Sequence, residues 1–175
     1  MGIVHLTGVS RNMEEGGEME RLAEILKAAI LMEEKGRTMY ARLAEDACDS
    51  LMSSVLTSLS NDESAHEIAI RGYLRAVSGG EAMQFEVSRR ELREREAGMA
   101  DTLKVVDGLR VNDIGVLELY RAAWEFEKRT RDFYAHQAHD ADDRDAAEFF
   151  RFLCRIENAH AAALESVISA SERDG

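Results

Sequence analysis

The chain has 175 residues and a mass of 19.6 kDa, the size of one domain with room for a substantial core. Apolar residues make up 45% and charged residues 32%, a globular balance that argues against a disordered chain, and the absence of proline points to long helices rather than a loop-rich fold. With 22 basic against 34 acidic residues the net charge is −12, which repels phosphate backbones and anionic lipids and argues against nucleic acid or a membrane surface as partner.

No apolar run approaches the roughly 20 residues of a membrane span. The first fifteen residues lack the apolar core and cleavage pattern of a secretory signal, so a cytoplasmic location is expected. Two cysteines, Cys48 and Cys154, are too few for a disulfide framework or a four-cysteine metal site and read as reduced thiols.

Residues 1–17 carry Gly2, Gly8, Gly16 and Gly17 without a sustained period and are expected to form a loop or loosely held arm, leaving 18–172 as the folded domain. From Met19 the pattern turns helical, with Leu22, Leu26, Ala29, Glu33, Gly36, Tyr40, Leu43 and Ala47 on one stripe. A polar break at 46–50 precedes a second stripe of Met52, Leu56, Leu59, Glu63, His66, Ile70 and Tyr73, which stops at Ser78-Gly79-Gly80. These two helices are expected to pair as an antiparallel hairpin. The region 81–112, with its charged run from Arg89 to Glu96, reads as a solvated helical crossover. Beyond a cap at Asn112-Asp113, a third stripe runs Val116, Tyr120, Ala123, Glu127, Thr130, Tyr134, Gln137 and Ala141. The acidic patch from Asp140 to Asp145 separates it from a fourth stripe of Ala146, Phe150, Leu153, Glu157, His160, Leu164 and Val167. The expected fold is all-α, a four-helix bundle built from two hairpins.

The hairpins repeat. Adding 94 to Glu33, Tyr40, Glu63 and His66 gives Glu127, Tyr134, Glu157 and His160. Packing alone explains a repeated apolar position, but not two carboxylates and an imidazole kept on each greasy seam. Glu63 and His66 stand three apart on one helical face, as do Glu157 and His160, so each pair aims at one point. A hairpin brings Glu33 and Glu127 to the same height, and six side chains converge at mid-bundle.

Charge limits what can sit among them. Four buried carboxylates without partners would cost several kcal/mol each or hold protons. Two divalent metals supply four positive charges against four negative ones, and the neutral imidazoles add none. Oxygen donors with two nitrogens and no sulfur suit iron or manganese, and zinc can also occupy such a set. Each ion would take one terminal Glu and one His, with the remaining two Glu bridging. The competing reading is a set of half-exposed polar residues with no metal. Tyr40 and Tyr134 lie two turns beyond Glu33 and Glu127, where either a hydrogen bond to a ligand Glu or plain core packing accounts for them. Cys154 and Trp124 read as packing, and His136 and His139 as surface residues beside acidic neighbours.

Glu33 and Tyr40, then Glu63-Ser64-Ala65-His66, repeated as Glu127, Tyr134 and Glu157-Asn158-Ala159-His160, resemble the ferritin-like di-iron carboxylate proteins and, within them, the rubrerythrin-like group. The segment Ala29 to Tyr40 is similar to a rubrerythrin first helix. The resemblance covers about residues 19–170. It implies two iron ions at the six named positions and reaction of Fe(II) with hydrogen peroxide or dioxygen, as a peroxidase or ferroxidase in oxidative stress or iron handling. The bridging Glu63 and Glu157 would accommodate changes in metal separation as the catalytic ligands. No rubredoxin domain with four cysteines is present, so an external electron donor is implied, and position 130 is Thr130 where the family carries a further Glu. The alternative is a non-catalytic protein that binds iron for sensing, delivery or storage. A homodimer is the expected assembly, and a crossover of this length can pass between subunits, so that helices can exchange.

Overall fold

The computed structural model describes residues 7–47, 49–79, 109, 111 and 113–173. Cys48 and the charged run from Arg89 to Glu96 lie outside the described residues. Four helices account for nearly all of the described chain: α1 (Thr7–Asp46), α2 (Ser50–Gly79), α3 (Ile114–Asp140) and α4 (Arg144–Glu172). α1 pairs with α2 and α3 with α4 along their lengths, and the close backbone approach between the hairpins is that of α1 with α3.

Aspartates set three helix starts. The Asp49 carboxylate accepts from the backbone N–H of Leu51 at 2.6 Å and of Met52 at 3.2 Å, Asp113 from Val116 at 3.0 Å, and Asp143 from Ala146 at 2.8 Å. Each satisfies donors that the first helical turn leaves without a partner. Two hydroxyls fix the register of the first hairpin: Ser53 Oγ donates to the Ala44 carbonyl at 2.8 Å and Ser60 Oγ to the Arg37 carbonyl at 3.1 Å.

A cavity at one end of the bundle is lined by Leu22 of α1, Val77 of α2, Gln137 of α3 and Phe150 of α4. The end of α2 and the end of α3 therefore share that end. At the opposite end the Val111 amide donates to Ser171 Oγ at 2.8 Å and Leu109 is buried in the core.

The expected stripes face inward, including all seven stripe residues of α2 and all seven of α4. α4 buries more than its stripe: Phe149, Phe152, Ile156 and Ala163 are buried beside it. The segment before residue 18 departs from expectation. It is not a loop from Thr7 onward but the opening of α1, whose 40 residues outrun the 30 of α2. Residues 16–20 are exposed, and a Cβ placed at Gly16 or Gly17 would meet nothing within 4 Å. The sequence there shows no sustained apolar period from which a helix could be read.

Phe150→Ala empties a fully buried position and is expected to cost about 3–5 kcal/mol, whereas Asp143→Ala removes one cap and is expected to cost about 1 kcal/mol. Urea unfolding of the two variants checks the ordering.

Candidate metal centre

Each helix contributes at mid-height. α1 supplies Glu33, α2 Glu63 and His66, α3 Glu127, and α4 Glu157 and His160, and none is more than 2% exposed. Gly36 makes the room. A Cβ at that position would stand 3.1 Å from Glu63 Cδ and Oε2 and 3.3 Å from the Phe126 ring, so the bare helix surface lets the Glu63 carboxylate lie against α1. The sequence did place Gly36 on the buried stripe; an interior helical glycine, costly in propensity, was the signal that something bulky lies opposite.

Donor atoms gather into two groups. Glu33, Glu63, His66 and Glu157 each offer an atom within 4.8 Å of the others, and so do Glu63, Glu127, Glu157 and His160. Glu63 and Glu157 belong to both. In the first group His66 Nδ1 lies 3.0 Å from Glu33 Oε2, 3.3 Å from Glu157 Oε1 and 3.7 Å from Glu63 Oε2. In the second His160 Nδ1 lies 2.9 Å from Glu63 Oε1, 3.4 Å from Glu157 Oε2 and 3.7 Å from Glu127 Oε2. The imidazole rings stack with centroids 5.6 Å apart and planes 21° from parallel.

Proximity here is not satisfaction. Both oxygens of Glu157, Oε1 of Glu63, Oε2 of Glu127 and Nδ1 of His160 are buried without a hydrogen-bond partner. Buried lone pairs turned toward common points, with nothing donating to them, are the mark of a cation site rather than of a polar core network. The donors of each group fit a metal cation.

The tyrosines settle the choice left open by their spacing. Tyr40 donates to Glu127 Oε1 at 2.7 Å, and Tyr134 donates to Glu33 Oε1. Each phenol thus reaches the glutamate of the other hairpin, fixes one carboxylate oxygen and leaves the second facing the cluster.

Without a metal, the cluster must hold protons. Burial first, then the charges of Glu157 and Glu63, push the Glu33 carboxyl well above the usual carboxylate range. Burial and then Glu157 push Glu127 up likewise. Against burial, the neighbouring imidazoles hold Glu63 and Glu157 low. Against burial, the surrounding carboxylates hold both His66 and His160 well above the ordinary imidazole range. Two protonated carboxyls and two imidazoliums facing two carboxylates sum to neutrality, as do two divalent ions among four carboxylates and two neutral imidazoles. Loading is therefore an exchange of protons for metal.

The remaining residues take no part. His136 and His139 are exposed and lie 3.3 Å and 2.9 Å from the Asp140 carboxylate. Cys154 packs partly buried against the core, where burial raises its thiol. Lys128 Nζ lies 3.9 Å from the centroid of the Trp124 ring. Thr130 is buried and its hydroxyl donates to the Phe126 carbonyl at 3.2 Å, so it adds no carboxylate to the cluster.

Compared with known families, residues 24–168 match the model described as Rubrerythrin. No curated protein and no solved structure gave a match.

Protons bound by Glu33, Glu127, His66 and His160 in the folded, metal-free protein stabilise it fully below the unfolded values of about 4.3 for Glu and 6.5 for His. That stabilisation is lost as pH rises through the raised folded values. Melting temperature in the presence of a chelator should accordingly fall as pH is raised above about 6.5, and two equivalents of a divalent metal should abolish the fall; a rise in the chelated protein would contradict the assignment. Gly36→Ala is expected to keep the helical content seen by circular dichroism while lowering metal affinity in titrations, because the new methyl displaces the Glu63 carboxylate.

Proposed function

The chain belongs to the rubrerythrin family, and from that premise we propose that it is a di-iron oxidoreductase that reduces hydrogen peroxide, or dioxygen, at the buried carboxylate–imidazole cluster. The observation that carries the reading is the pair of four-residue groups sharing Glu63 and Glu157, with donor atoms buried and unpartnered.

Glu33 and His66 would hold one ion and Glu127 and His160 the other, with Glu63 and Glu157 in reach of both. Two iron(II) ions, when bound, would supply two electrons, enough with two protons to convert one hydrogen peroxide to two waters. The protein's own groups do the rest. Tyr40 and Tyr134 hold the outer oxygens of Glu127 and Glu33, so that each terminal carboxylate presents its other oxygen at a fixed angle. Burial of all six side chains keeps bulk water from competing for the ligand atoms. Glu63 and Glu157, which offer donor atoms to both groups, are the carboxylates that would adjust to the bound metal. A reductant would be needed for repeated turnover.

Thr130 favours one other reading, since the position one turn after Glu127 holds a hydroxyl and not a carboxylate. On that reading the site binds iron for sensing, delivery or storage. The two are separated by loading two iron(II) per chain without oxygen and then adding peroxide. The oxidoreductase should oxidise both irons rapidly, seen as a rise in near-ultraviolet absorbance, and should consume peroxide continuously when a reductant is supplied. Glu63→Ala should abolish both signals. Metal-dependent melting with no peroxide consumption would establish the binding role instead.

A further inference from the structure

Both imidazoles turn Nδ1 toward the carboxylates, which directs Nε2 of each ring away from the cluster. An acceptor on that second nitrogen orients a ligating imidazole and strengthens it as a donor to metal. His160 has a carboxylate at hand. Asp62, one residue before Glu63 on α2, places Oδ2 4.0 Å from His160 Nε2, with its side chain 23% exposed. Closing that gap by about 1 Å brings it to hydrogen-bond length. Nε2 of both rings is buried without a hydrogen-bond partner, and the two differ in what the duplication places behind them. The counterpart of Asp62 in the second hairpin, 94 residues on, is Ile156, a buried hydrocarbon that can accept nothing. The duplication therefore repeats the six ligands and both tyrosines but supplies an acid behind only one of the two imidazoles.

We propose that Asp62 is a positioning residue for His160, and that it makes the two halves of the centre unequal. The half built on Glu127 and His160 takes the first divalent ion more tightly than the half built on Glu33 and His66. The inference rests on the di-metal reading above, and it concerns the order of filling rather than the reaction.

Cobalt(II), titrated anaerobically into the metal-free protein and followed by calorimetry, is the probe. The wild type should bind two ions in two steps at least tenfold apart in affinity. In crystals given one equivalent, anomalous scattering should put most of the cobalt beside His160. Asp62→Asn keeps the shape and removes the charge; it should weaken the tighter step by about 10–100-fold and even out the occupancy of the two positions. Equal steps in the wild type, a first ion beside His66, or an unchanged Asp62→Asn titration would each overturn the proposal. The wild-type occupancies decide the matter even if the variant folds poorly. Failure of the wild type to bind any cobalt would overturn the di-metal reading itself, and this inference with it.

Discussion

Mutual neutralisation of buried charge holds the middle of this bundle together. Four carboxylates and two imidazoles lie between two hairpins where almost every other contact is apolar, and any one of them left uncompensated would cost several kcal/mol. The cluster is tolerable only as a set: with protons shared among Glu33, Glu127, His66 and His160, or with cations in their place. The surrounding apolar packing, from Leu26 and Leu59 to Leu153 and Leu164, supplies the rigidity that keeps those side chains aimed at one another.

Neither hairpin completes a donor group alone. The group around His66 draws Glu157 from the second hairpin, and the group around His160 draws Glu63 from the first. The tyrosines cross in the same way, Tyr40 to Glu127 and Tyr134 to Glu33. Among the described residues the backbones of the two hairpins approach far more sparsely than those within each hairpin, so the polar side chains fill space that backbone packing does not close. Ions bound there would act as a clamp between the two halves, which couples metal loading to the association of the hairpins as well as to the chemistry.

Gly36 and Thr130 occupy equivalent positions in the duplication, yet they serve different ends. Gly36 yields its space to the Glu63 carboxylate, while Thr130 fills its own space and bonds to the helix backbone at Phe126. Asp62 and Ile156 diverge in the same fashion. An arrangement that began as two copies has thus become a centre with two distinguishable sides, and the differences lie just outside the ligand set.

The sequence by itself determined the four stripes, the aspartate start at Asp113, the duplication, and the convergence of Glu33, Glu63, His66, Glu127, Glu157 and His160. These are properties of helical periodicity and of local backbone donors, which spacing encodes directly. Only the tertiary structure decided that each tyrosine serves the opposite hairpin's glutamate, that α4 buries Phe149, Phe152 and Ile156 beyond its stripe, and that α1 begins at Thr7. The first two depend on which neighbour a side chain meets across the bundle, and spacing along one chain carries no record of that. The third concerns the opening of α1, where the sequence shows no sustained alternation of polar and apolar residues to be read.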